Sequence, residues 1–200
     1  TIDKKRKIMN KCIIASIVVM LKGYQRLKAS SNSNKMHISS LKYVLGQTVR
    51  AYKVPQKQIF ISQAAEKRWN DLTSSNINNF DYKQSFKCDQ LKQSITCKMY
   101  KGSQKNGQNV QIHPNDKVCF NDMFHVDHIV PVKLIMDELL KLTQINSQNV
   151  SNILQKMYLC RMLKEEDRLL GRTAGRTLCY NNNINNIYKK RGICVIDPNT

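Results

Sequence analysis

Phe124-His125-Val126-Asp127-His128-Ile129-Val130-Pro131 is the stretch on which the reading of this chain turns. Its residues alternate with the two-residue period of a β-strand. His125, Asp127 and Ile129 therefore fall on one face, and Val126, His128 and Val130 on the other. A strand that ends here presents a carboxylate and an imidazole side by side, a pair suited to hydrolysing a phosphodiester. The carboxylate is a hard oxygen donor for Mg²⁺, and such an ion stabilises charge on a scissile phosphate and its leaving oxygen. A neutral imidazole, with an ordinary pKa of about 6.5, takes a proton from an attacking water near neutral pH. The competing reading is a core imidazole bonded to Asp127 with no metal.

The charge around this stretch makes the first reading the stronger one. The 200 residues carry 33 Lys and Arg against 14 Asp and Glu, a formal net charge of +19. That excess opposes compaction by self-repulsion. A phosphate backbone relieves it and releases counterions. An anionic membrane surface is the rival partner. The plain alternative is a basic solvated surface on a subunit of a larger assembly. Because carboxylates are scarce, one beside a histidine stands out.

Seven cysteines, an odd number, are spread widely without a CxxC pair. This is unlike a secreted disulfide scaffold, and it points to reduced thiols in an intracellular compartment. The apolar run Cys12 to Leu21 follows Lys4-Lys5-Arg6-Lys7, but Lys22, Arg26 and Lys28 come straight after it. The run is shorter than the ~20 residues a bilayer span requires, so a buried helix is expected and no membrane span. The basic cluster Lys4 to Lys7 would also serve as a nuclear address.

Working outward, Lys4 to Leu27, Ser39 to Tyr52 and Ile59 to Leu72 read as helices, with Ser62 as a cap and Trp69 on the apolar side of the third. The helix–turn–helix this implies is more often a plain helical hairpin than a DNA reader. Ser30 to Asn34 and Ser74 to Asn79 are polar loops. Short strands are expected within Phe86 to Tyr100, at Val110 to Ile112 and at Val118 to Phe120. Leu134 to Leu142 is an amphipathic helix, Gln144 to Asn152 a polar connection, Met157 to Cys160 strand-like, and Arg161 to Leu170 a charged helix ended by Gly171. The domain expectation is a helical, basic region over 1–73 and a second region over 74–200, centred on about 118–172.

Asp127-His128-Ile129-Val130-Pro131 resembles the first strand of HNH (ββα-metal) endonucleases, including the HNH domains of RNA-guided effector nucleases. The resemblance covers residues 124–170. It implies that Asp127 is a metal ligand, that His128 is the general base, and that Pro131 stands where the strand turns into a loop. Asn152-Ile153-Leu154-Gln155 is similar to the start of the family's second strand and Tyr158-Leu159-Cys160-Arg161 to its end. Asn152 would then brace the hairpin or orient the base. The helix Leu134 to Leu142 would account for a span between the two halves that is longer than usual. The family's closing helix carries a His or Asn ligand, which this chain lacks. By position the ligand falls to Glu165, then Glu166, with Asp167 behind them.

Other constellations are weaker. Cys88, Cys97, Cys119 and Cys160, with His113 as a substitute, would be the ligands of a structural Zn²⁺, although structural sites usually show close ligand pairs. Gly171-Arg172-Thr173 and Gly175-Arg176-Thr177 suit phosphate contacts through Arg172 and Arg176, or form an ordinary helix-ending loop. Tyr188-Lys189-Lys190-Arg191 is a basic patch with one aromatic, its Lys189, Lys190 and Arg191 set to grip a nucleic-acid backbone. The expectation is thus an α+β protein, mainly helical, around a small ββα-metal core. It would be an endonuclease using Mg²⁺ or Mn²⁺ on DNA, with RNA as the other substrate. The alternatives are an inactive nucleic-acid-binding module of the same fold and a subunit of a larger nucleoprotein assembly.

Overall fold

The computed structural model describes residues 2–30, 35–80, 83–101, 106–170 and 186–197. Its helices are α1 (Ile2–Ala29), α2 (Lys35–Arg50), α3 (Gln63–Leu72), α4 (Phe120–Met123), α5 (Val132–Leu140), α6 (Ser147–Leu154), α7 (Lys164–Leu170) and α8 (Asn186–Lys189). Its strands are β1 (Ile59–Ser62), β2 (Ser85–Lys87), β3 (Ile95–Met99), β4 (Gln108–Ile112), β5 (Lys117–Cys119), β6 (Phe124–His128), β7 (Leu159–Leu163) and β8 (Val195–Ile196). The chain is α+β, and among its described residues no helix is long and apolar enough to cross a membrane.

Two compact units interleave along the chain: Thr1–Pro55 with Val130–Tyr158, and Gln56–Ile129 with Leu159–Thr200. These units are bounded differently from the expected division after residue 73. β1 and α3 belong with the second unit, because β1 hydrogen-bonds to β7 and α3 buries Trp69 in that unit's core. The segment carrying α5 and α6 leaves the second unit after β6 and returns to it at β7.

Among its described residues the first unit has four helices. α1 packs on α2 and α6, and α5 packs on α2 and α6. Ile17 and Leu21, Leu45 and Val49, Ile135 and Leu139, and Val150 and Leu154 are all buried there. The Asn10 side chain closes α1 against the end of α2. Its Nδ2 donates to the Lys53 carbonyl at 2.9 Å, and its Oδ1 accepts from the Lys53 N–H at 3.0 Å. Here the structure overturns another expectation. Asn152 to Leu154 is no strand but the last turn of α6. Val150, Ile153 and Leu154 recur at helical spacing and are buried together, and Asn146 caps the helix by accepting from the Asn149 N–H at 2.8 Å.

The second unit holds a four-stranded sheet in the order β6-β7-β1-β8, with β6 antiparallel to β7, β7 parallel to β1, and β1 antiparallel to β8. β2 pairs with β5 and β3 with β4, both antiparallel. Trp69 lies at the centre of an aromatic core, its ring 4.6 Å from Phe86, 5.1 Å from Phe80 and 5.4 Å from Phe124. Because Phe124 opens β6 from inside this core, the strand's starting point and facing are set by packing before its polar residues begin.

Candidate metal centre

β6 and β7 run antiparallel with Asp127 opposite Cys160 and His128 opposite Leu159, and α7 follows directly on β7. The face of β6 that carries His125 and Asp127 meets α7, and one carboxylate of that helix comes within reach. His125, Asp127 and Asp167 each offer a ligand atom within 4.8 Å of the others. His125 Nε2 lies 3.8 Å from Asp167 Oδ1, and the two side chains are 37% and 32% exposed. Asp127 is only 5% exposed. Two partly exposed donors beside one buried carboxylate bring together oxygen and nitrogen atoms of the kind that suit a divalent cation.

Asp127 is held in place from behind. The hydroxyl of Tyr188, itself 1% exposed, donates to Asp127 Oδ2 at 2.8 Å. A buried carboxylate needs such a donor, and the bond fixes the orientation of the carboxylate. Across the strand, the Cys160 thiol is pushed far up, first by burial and then by the charges of Asp127 and Glu166. It is a neutral, inert neighbour.

Of the other expected ligands, Glu166 is already engaged. Its Oε2 accepts from the Leu163 N–H at 2.9 Å and from the Ser62 hydroxyl at 2.5 Å. A glutamate at the third position of a helix commonly reaches back to the free N–H at the helix start, and Glu166 is that capping residue. Glu165 faces a separate cleft with Lys98, Tyr100 and Arg168. Asp167, third in the expected order, is the helix carboxylate that reaches the strand. His128 ends β6, half-buried. Asn152 is on α6 in the first unit, where its Oδ1 accepts from Gln148 Nε2 at 2.8 Å.

The four cysteines do not converge. Cys88 and Cys97 lie in the aromatic core, Cys119 ends β5, and Cys160 lies within β7. Among the described residues, His125, Asp127 and Asp167 form the only group of three or more such ligands. His113 Nδ1 is bonded to Ser94 Oγ at 2.6 Å. Arg172 and Arg176 lie outside the described residues. Lys189, Lys190 and Arg191 are exposed, whereas Tyr188, grouped with them by sequence, is buried against Asp127.

Sequence reasoning passed over His125 and Tyr188. Strand alternation had already placed His125 on the face of Asp127. Tyr188 is 61 residues away, and nothing local marks it. No family model, curated protein or solved structure matches the chain.

Proposed function

We propose that this chain is a metal-dependent nuclease that hydrolyses phosphodiester bonds of DNA at the β6–β7–α7 site. The observation that carries this reading is the convergence of His125, Asp127 and Asp167 from a strand and the helix that follows its antiparallel partner. β6 and β7 pair antiparallel and α7 follows β7, an arrangement similar to the ββα-metal core the sequence resembles but with α5 and α6 inserted between the strands, and the net charge of +19 suits a polyanionic substrate. Asp127, Asp167 and His125 would hold the cation, which supplies charge stabilisation at the scissile phosphate. By the resemblance, His128, which ends β6 on the opposite face from His125 and Asp127, would take the proton from the attacking water. An imidazole among the donors favours Mn²⁺ over Mg²⁺.

A second reading is a nucleic-acid-binding module without catalysis. The observation that favours it is Asp127, which is 5% exposed and already bonded to Tyr188.

Nicking of supercoiled plasmid with Mn²⁺ or Mg²⁺, alongside calorimetric Mn²⁺ titration, separates the two. On the nuclease reading the wild type nicks, His128→Ala loses roughly 10²–10⁴-fold in rate, and Asp167→Asn weakens Mn²⁺ binding. Absence of both nicking and Mn²⁺ binding, with DNA binding retained, leaves the binding module.

A further inference from the structure

The helix that supplies Asp167 carries a second arrangement on another face. Glu165, Arg168 and Leu169 recur at helical spacing, and Arg168 stands about 100° round from Asp167. With Lys98, Tyr100, Asn106 and Gly107 they line an open cleft of about 550 Å³. That volume is within the range of sites for small organic molecules, roughly 300–1,000 Å³.

The cleft has a rigid floor. Tyr100 is 3% exposed, its N–H donates to the Asp122 carbonyl at 2.7 Å, and its own carbonyl accepts from Lys164 Nζ at 3.1 Å. The guanidinium carbon of Arg168 lies over the Tyr100 ring at 4.2 Å from its centroid. Arg168 is thus seated over the ring while the residue as a whole remains exposed. Gly107 lets the backbone pass close to the ring, because a Cβ there would fall 2.7 Å from Tyr100.

From this geometry we infer that the cleft binds one unpaired nucleotide of a nucleic-acid strand, with its base stacked on the Arg168 guanidinium beside Leu169. Lys98 is placed for the phosphate, and Glu165 and Asn106 for the edge of the base. Arginine planes are established stacking surfaces for unpaired bases. Glu165 decides between a base and a bare phosphate. A carboxylate repels a phosphate, but it accepts a hydrogen bond from an amino-bearing base such as cytosine. Thymine offers no such amino group. The inference rests on the nucleic-acid reading of the site and narrows its substrate to strands that are single or locally unpaired.

The test is fluorescence anisotropy of the full chain in EDTA with labelled oligo-dC, oligo-dT and a duplex. Without metal, the signal reports binding alone. The expected results are tighter binding of single strands than of duplex and a preference for oligo-dC over oligo-dT. Arg168→Lys, which keeps the charge but removes the plane, should weaken single-strand binding about tenfold and leave duplex binding unchanged. Glu165→Gln should erase the preference for cytosine. Wild-type single-strand affinity in Arg168→Lys would overturn the inference. So would an equal gain for both oligonucleotides in Glu165→Gln, which would show that the cleft sees phosphate alone. A chain that never nicks plasmid but gives the expected anisotropy loses the nuclease reading and keeps the nucleotide site. A chain that nicks but ignores both substitutions does the reverse.

Discussion

At the scale of single residues, the candidate centre depends on a hydrogen bond that sequence alone does not reveal. Tyr188→Phe removes one hydroxyl and leaves the buried ring in place. Partners that orient a metal ligand typically contribute 10–100-fold to metal affinity, so the substitution should weaken Mn²⁺ binding by about that factor while far-UV circular dichroism stays unchanged. Unaltered affinity would mean that Tyr188 only satisfies a buried carboxylate. His125 was open to the sequence reading, since strand alternation sets it beside Asp127, whereas the family resemblance drew attention to His128. Asp167 ranked behind two glutamates because ranking by position cannot see that Glu166 caps its own helix. Cys88 offers a pH test within the same unit. Burial, and then Asp116, Cys97 and Asp89, push its thiol from about 9 up to about 11. A group whose pKa is raised on folding contributes stability that is complete below the unfolded value and is lost as pH rises to the folded one. Urea stability should therefore decline between pH about 9 and about 11, and Cys88→Ala should decline less over that window. Parallel curves would show that the thiol is not a contributor.

At the scale of elements, Ser62 joins the two strand–helix units that frame the centre. Its hydroxyl caps α3 by accepting from the Ala65 N–H at 3.1 Å and donates to Glu166, which caps α7. Ser62→Ala loses the α3 cap, about 1 kcal/mol, and strips Glu166 of a donor in a half-buried setting, about 1 kcal/mol more. A fall of about 2 kcal/mol in urea unfolding, at unchanged denaturant slope, is expected. Glu166→Ala should also destabilise the chain yet leave Mn²⁺ affinity intact. Lost Mn²⁺ binding in that variant would restore Glu166 as a ligand. Ser62 could be read as a cap because a small hydroxyl residue before a helical pattern signals a start. The residues ahead of it, Ile59 to Ile61, looked like the same helix and form β1 instead. Short apolar runs are ambiguous between the two states, and here pairing with β7 decides the matter. α6 went unread for the opposite reason. Its Ser, Gln and Asn residues favour turns and caps, and they masked the spacing of Val150, Ile153 and Leu154 that buries the helix.

At the scale of the whole molecule, the charge excess was plain from composition, but the interleaving of the two units was not. A segment that leaves β6 and returns at β7 looks in sequence like one continuous domain, and only the pairing of Asp127 with Cys160 shows that β6 and β7 are neighbours in one sheet. The same long-range closure locates part of the charge. Tyr188 is anchored on Asp127, so the chain that follows it starts from the candidate centre, and Lys189, Lys190 and Arg191 are its next three residues, all exposed. Three cations tethered there should contact the backbone of any strand that reaches the site. Each phosphate contact adds roughly one to the slope of log affinity against log salt. Replacing Lys189, Lys190 and Arg191 together by Ala should therefore reduce the salt slope for DNA binding by about three and weaken binding uniformly across sequences. Because these side chains are exposed, the unfolding midpoint should shift little. A salt slope equal to that of the wild type would mean that the strand passes elsewhere. The charge of the chain would then act as a diffuse field that draws in a polyanion without fixing its path over the centre.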